Sequence, residues 1–221
     1  MDGTVWAIVV AGGSGSRFGD AVPKQFLELG GRRLVDRAVA AASAACDGVV
    51  AAVPAAHLAT AGVAGAATVA GGPTRSASVR AGLAAVPPDA GIVVVHDAAR
   101  PLAGPELFAR VVAAVRAGAD GAVPGLPVPD TIKRVDAAGG EAVVVETLDR
   151  PALRAIQTPQ AFRAAVLRRA HAGGGDATDD AALVEALGAR VVVVDGDPAN
   201  LKVTGPDDLA RAEALLARRG G

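Results

Sequence analysis

Seven short runs of apolar, largely β-branched residues recur along the chain, separated by alanine-rich stretches with helical periodicity. The runs fall at 5–10, 49–53, 68–70, 92–95, 121–123, 143–146 and 191–194. The helical stretches fall at 35–45, 74–85, 106–117, 161–172, 179–187 and 206–217. Strands that are apolar throughout, rather than on alternate residues, predict a sheet buried on both faces. Alternation with helices predicts right-handed parallel crossovers. The expected fold is therefore α/β, with a Rossmann-like, mostly parallel sheet and helices on both of its faces. The 221 residues suit one such unit with a sizeable core. Aromatics make up 2% of the chain, so Val, Leu and Ala must fill that core.

One segment departs from the alternation. Thr131 to Val135 and Glu141 to Glu146 flank a glycine turn at Gly139-Gly140 and read as a β-hairpin. A hairpin that leaves a domain must bury its apolar residues against something. We expect one domain over 1–221, with an arm inserted at 129–150. The exposed edges of that arm suit pairing with a second copy of the chain.

The first strand runs into Ala11-Gly12-Gly13-Ser14-Gly15-Ser16-Arg17-Phe18-Gly19, and then into Pro23-Lys24-Gln25. Small residues let the backbone close around an anion with its N–H groups pointing inward. Arg17 offers a planar guanidinium and Lys24 a compact charge, which together suit a polyphosphate. The dinucleotide fingerprint fails here, because Phe18 stands where its third glycine belongs. The P-loop pattern is absent from this loop too. Nucleotidyl transfer is the reading left in front.

In parallel sheets ligands sit beyond the carboxyl ends of the strands. That places the 11–19 loop and the His96-Asp97 turn on one rim. A carboxylate facing an anionic site calls for a cation between them, and Mg²⁺ carried by a triphosphate meets the need. Asp97 is thus the candidate metal contact; its blander roles are an N-cap or a partner for Arg100. His96 reads as packed and oriented by its neighbours, while His57 and His171 look incidental. Gly71-Gly72-Pro73-Thr74 reads as a helix start, with Ser78 in the first turns. Thr178-Asp179-Asp180 reads as a second helix cap. The stretch 200–204, which carries Lys202, looks strand-like.

Composition excludes several classes. Lys+Arg 22 against Asp+Glu 23 gives a net charge of -1, so no basic field exists for a nucleic-acid partner. Cys46 is the single cysteine, which rules out an intrachain disulfide. It is expected on the first long helix as a small packing residue. No apolar run approaches the ~18 residues of a membrane span, and no signal peptide is visible. A cytoplasmic protein is expected.

The ordered set of motifs resembles the 2-C-methyl-D-erythritol 4-phosphate cytidylyltransferases. The stretches that carry the resemblance are 11–19, Pro23-Lys24-Gln25, 71–78, His96-Asp97-Ala98-Ala99-Arg100-Pro101, Thr131-Ile132-Lys133-Arg134, Gln157-Thr158-Pro159-Gln160, Thr178-Asp179 and Leu201-Lys202-Val203-Thr204. The resemblance implies a fold like that of nucleotide-diphospho-sugar transferases with a dimerisation arm. It also implies transfer of a cytidylyl group from CTP, with Mg²⁺, to methylerythritol phosphate. By the same resemblance Arg17, Lys24, Arg150 and Lys202 are catalytic. CTP would lie against Ala11, Gly12, Gly13, Ser14, Gly15, Arg17, Lys24, Gly72, Ser78, Asp97 and Ala98. The acceptor would lie against Asp97, Arg100, Thr131, Arg150, Thr158, Thr178 and Lys202, with Thr131 and Arg150 serving a neighbour's site. The rival readings are transfer to another polyol phosphate such as ribitol 5-phosphate, a nicotinamide oxidoreductase, and a nucleotide sensor without catalysis.

Overall fold

A computed structural model describes residues 3–12, 23–137 and 140–219, the side chain of Arg219 excepted. In chain order the elements are β1 (Val5–Val10), β2 (Glu28–Leu29), β3 (Arg32–Arg33), α1 (Leu34–Ser43), β4 (Gly48–Val53), β5 (Ala67–Ala70), α2 (Arg75–Ala85), β6 (Ile92–Asp97), α3 (Pro105–Arg116), β7 (Gly121–Pro127), β8 (Lys133–Asp136), β9 (Val143–Thr147), β10 (Arg154–Ile156), β11 (Gln160–Arg163), α4 (Ala164–Ala172), α5 (Asp180–Glu185), β12 (Val191–Asp195) and α6 (Pro206–Arg219).

Strands β5, β4, β1 and β6 run parallel side by side. β11 follows antiparallel to β6 and also pairs antiparallel with β7. β10 adds to the same edge of β7, and β12 lies parallel along its other edge. Successive side chains of a strand point to opposite faces. Accordingly Val5, Ala7 and Val9 of β1 join Val35 and Val39 of α1 and Phe108, Val111 and Val115 of α3 on one face. Ile8 of β1 joins Val79 and Leu83 of α2, Leu167 of α4 and Val184 of α5 on the other. The expected sheet with helices on both faces is what these residues build.

The departures are local. The helix expected over 161–172 begins only at Ala164, because Gln160–Arg163 enter the sheet as β11. Ala161 packs in the first cluster and Phe162 in the second, so this short stretch fills both faces. That burial outweighs the helical preference of its alanines. α1 stops at Ser43, so Cys46 sits in the following turn, its N–H donating to the Ala42 carbonyl at 2.9 Å. Burial pushes the Cys46 thiol up to about 12, which leaves it inert as a nucleophile. The stretch 200–204 forms no strand; Val203 N–H makes one ladder-like bond to the Ala99 carbonyl at 2.7 Å.

β8 and β9 pair antiparallel as a separate two-stranded sheet, as the hairpin reading expects. Arg134 and Glu146 form an ion pair across it at 2.8 Å. Val135, Val143, Val144 and Val145 stand 49% to 55% exposed on this arm.

Candidate active site

Three strand ends converge on one rim. Val10 lies in register with Asp97, and Ala98 N–H donates to the Val10 carbonyl at 3.0 Å. Gly71 N–H donates to the Val53 carbonyl at 2.7 Å, which brings the β5–α2 turn alongside. Between them opens a cavity of about 400 Å³. Its floor depends on close backbone approach. A Cβ on Gly12 would stand 2.8 Å from Ser78 Oγ, and one on Gly72 would stand 2.4 Å from the Cβ of Ala77. Ser78 Oγ accepts from Gly72 N–H at 3.1 Å and donates to the Thr74 carbonyl at 3.0 Å, which pins the turn. Thr74 caps α2 by accepting from Ala77 N–H at 3.1 Å. The positive end of α2 thus borders the cavity and favours an anion there.

Lys24 lines the same cavity from a 3₁₀ turn that Pro23 opens and Phe26 anchors against the core. Lys202 lines it from the opposite end of the sequence. Val203 and Leu201 on either side of Lys202 pack with Leu29, Leu34, Leu102 and Ala212. Asp208 then accepts from the N–H groups of Thr204 and Gly205 at the start of α6. The Thr204 hydroxyl donates to the same carboxylate oxygen and, together with these backbone bonds, holds the Asp208 carboxyl below its usual range.

The cations meet Asp97. Its Oδ2 accepts from Lys202 Nζ at 2.8 Å and its Oδ1 from Arg75 Nε at 3.1 Å. Arg100 is not its partner; that guanidinium donates to the Asn200 and Ile156 carbonyls instead. Burial acts to raise the Asp97 pKa, but Arg75 and Lys202 outweigh it and hold the carboxyl well below its ordinary value. Burial likewise opposes the charge on Arg75, and the carboxylates of Asp180 and Asp97 reverse that and raise its pKa. Burial lowers the pKa of Arg100.

A second cavity, of about 200 Å³, opens on the far side of Asp97. Arg75, Asp97 and Lys202 line both cavities and so form the wall between them. Arg100, Thr158 and Thr178 line the smaller one. Gln157 Nε2 donates to the Asp197 carbonyl at 2.9 Å, and Asn200 Nδ2 to the Thr158 carbonyl at 2.8 Å. These bonds fasten the loop carrying Lys202 to the segment between β10 and β11. The Thr158 hydroxyl faces inward, onto Asp97 N–H and His96 Nδ1, each at 3.0 Å. His96 is fully buried, and that burial lowers its pKa to about 4.

Of the residues expected to contact CTP, Ala11, Gly12, Lys24, Gly72, Ser78, Asp97 and Ala98 line the larger cavity. Gly13, Ser14, Gly15 and Arg17 lie outside the described residues. Asp97, Arg100, Thr158, Thr178 and Lys202, the described residues expected to contact an acceptor together with Thr131 and Arg150, line the smaller cavity. Thr131 and Arg150 line neither; Arg150 closes the foot of the arm by donating to the Pro129 carbonyl at 2.7 Å. Sequence reasoning passed over Arg75, Asp180, His171 and the Gln157–Asn200 clasp. Arg75 lies within the 71–78 stretch, but nothing in the sequence says that its partners come from 22 and 105 residues away.

Among the described residues, no three His, Cys, Asp or Glu side chains cluster as a metal site. Asp97 is the one carboxylate among the described residues lining the larger cavity, and cations engage both of its oxygens. Lys24, Arg75 and Lys202 give this cavity positive charge, and these side chains do not by themselves make a cage for Mg²⁺.

The family model described as IspD, 2-C-methyl-D-erythritol 4-phosphate cytidylyltransferase, matches residues 5–218. The chain is 50% identical to the 2-C-methyl-D-erythritol 4-phosphate cytidylyltransferase of Nocardia farcinica, covering 99% of this chain and 96% of that protein. It is also 50% identical to the bifunctional enzyme IspD/IspF of Anaeromyxobacter dehalogenans, over 96% of this chain and 57% of that longer protein. The crystal structure of the Thermus thermophilus 2-C-methyl-D-erythritol 4-phosphate cytidylyltransferase superimposes with a TM-score of 0.81 at 41% identity, covering 99% of this chain and all of that one. Similarity over nearly the full length, in sequence and in fold, leads to one conclusion: the chain belongs to the 2-C-methyl-D-erythritol 4-phosphate cytidylyltransferase family.

Proposed function

We propose that the chain transfers the cytidylyl group of CTP to 2-C-methyl-D-erythritol 4-phosphate, giving 4-diphosphocytidyl-2-C-methyl-D-erythritol and pyrophosphate. The observation that carries this reading is the shared wall of Arg75, Asp97 and Lys202 between two cavities of unequal size. CTP takes the larger, with Lys24 and Arg17 on its triphosphate and Gly72 and Ser78 toward its base. The polyol phosphate takes the smaller, near Arg100 and Thr178. Lys202 then faces the attacking phosphate at the boundary.

The attacking phosphate is already ionised at neutral pH, so the reaction needs no general base. His96 accordingly has no part in proton transfer; it is buried and its Nδ1 is occupied by Thr158. Two anions must be brought together, and the residues here supply alignment and positive charge. Mg²⁺ belongs to the proposal as an ion that arrives on the triphosphate, where it would neutralise phosphate charge and keep phosphate and water as its main ligands, with Asp97 as its candidate protein contact.

The proposal extends to a homodimer joined through the arm, with Thr131 and Arg150 reaching the partner's acceptor site. The exposed valines of β8 and β9 support it. A cytoplasmic setting is part of the same proposal, supported by the single cysteine. No helix among the described residues is long and apolar enough to cross a membrane.

The test is incubation with CTP, methylerythritol phosphate and Mg²⁺, with the product identified by mass and pyrophosphate measured. The expected result is the cytidine diphosphate alcohol with one pyrophosphate per product. Faster turnover with ribitol 5-phosphate in the same assay would reassign the acceptor, and CTP binding without pyrophosphate release would remove catalysis.

A further inference from the structure

Behind the wall between the cavities lies a second carboxylate that the reaction as described does not use. Asp180, the first residue of α5, is fully buried. Its Oδ2 accepts from Arg75 Nη1 at 2.7 Å and its Oδ1 pairs with His171 Nε2 at 2.9 Å. His171 comes from α4 and is also buried. Arg75 spends its Nε on Asp97, and Asp97 in turn holds Lys202. The result is an unbroken line of His171, Asp180, Arg75, Asp97 and Lys202, which starts in the packing of α4 against α5 and ends at the boundary between the two cavities.

We propose that Asp180, seated against His171, is a positioning residue that acts through Arg75 and Asp97 to keep Lys202 on the wall facing the acceptor. An arginine fork can serve two carboxylates at once only when both are fixed. Asp180 satisfies the outer arm of that fork, so only Nε is directed at Asp97. One oxygen of Asp97 is thereby left for Lys202. Without the charge of Asp180, the whole guanidinium is drawn to the nearest remaining carboxylate. Arg75 then competes for both oxygens of Asp97 and Lys202 loses its tether. Lys202 is 43% exposed along its side chain, so little else described holds it in place. The acceptor phosphate meets a wandering cation in place of a fixed one.

This inference rests on the cytidylyl-transfer reading and predicts which constant changes. Asp180→Asn keeps the shape and lets the amide oxygen still accept from Arg75. It should raise KM for methylerythritol phosphate about tenfold and leave KM for CTP within about twofold, as expected when one charge-assisted bond behind a binding residue is weakened. A purely structural defect would lower the active fraction, and so kcat, with both KM values unmoved. Arg75→Lys supplies a second route if Asp180→Asn does not fold, because a single ammonium cannot bridge Asp97 and Asp180. It should raise the same constant. An active wild type, with the acceptor KM unchanged in whichever variant folds, overturns the inference alone. A wild type that releases no pyrophosphate overturns the functional reading and the inference with it.

Discussion

Thr158 Oγ1 lies 3.0 Å from His96 Nδ1 and 3.0 Å from the backbone nitrogen of Asp97. The hydroxyl accepts from Asp97 N–H and gives its own proton to His96 Nδ1. It does so because the Arg100 carbonyl on the other side of the ring can only accept, which requires the neutral imidazole to carry its hydrogen on Nε2 and donate it there at 3.2 Å. A threonine, a histidine and two backbone groups thus fix the turn that presents Asp97.

Removing that hydroxyl strands two buried groups. Thr158→Val should destabilise the fold by about 2 kcal/mol, within the range for buried polar atoms left unpaired. Thr158→Ser keeps the oxygen and should cost much less. Urea denaturation of the three proteins at one pH gives the comparison. Equal midpoints for Val and wild type would show that the hydroxyl carries no structural weight.

His96 also sets a pH dependence. Its pKa is lowered in the folded state to about 4, so the unfolded chain binds the extra proton first as pH falls. Stability should be full above the ordinary histidine value of about 6.5 and fall between there and about pH 4, by about 3 kcal/mol in total. Asp97 adds a further loss only below the ordinary carboxylate range, where protonation breaks its pairs with Arg75 and Lys202. Urea midpoints from pH 7 to pH 4.5 should decline in wild type and be flatter in His96→Gln. Parallel slopes would assign the dependence to other groups.

The floor of the larger cavity leaves no room at residue 72. Gly72→Ala would place a methyl 2.4 Å from the Cβ of Ala77 and push the turn outward. Overpacking of this kind costs about 1–3 kcal/mol. KM for CTP should rise about tenfold, as 1.4 kcal/mol of lost binding implies. An unchanged KM for CTP would move the nucleotide away from this turn.

The arm offers a test of assembly. Val144 is 55% exposed on β9, and a charge there would be tolerated in an isolated chain. In a dimer built through the arm, Val144→Asp would bury an unpaired carboxylate. Sedimentation should shift from the mass of two chains toward that of one. An unaltered mass would remove β9 from the interface.

Much of the fold was legible because the strands are strongly apolar and the helices strongly periodic; β1, β4, β6 and β12 stand within two residues of their expected bounds. β11 was not legible, since Gln160-Ala161-Phe162-Arg163 has no local strand signature and acquires one by pairing with β6 and β7. Within the site, Lys24, Asp97 and Lys202 were readable as motif residues. Asp180 and His171 were not, because a buried carboxylate–imidazole contact between neighbouring helices looks, in sequence, like any helix cap and any helical histidine. The inward turn of Thr158 was equally hidden, for side-chain direction depends on what the tertiary fold puts beside it.

β11 runs against its neighbours, and this has an architectural consequence. β7 ends at the rim and the chain comes back through β10 and β11 starting from that same rim, with Arg154 opposite Pro127 and Gln160 opposite Val95. Both feet of the arm are therefore planted beside the reaction chamber. The reversed pair β10 and β11 thus turns what would be a remote appendage into a neighbour of the cavity that Ile156 and Thr158 line.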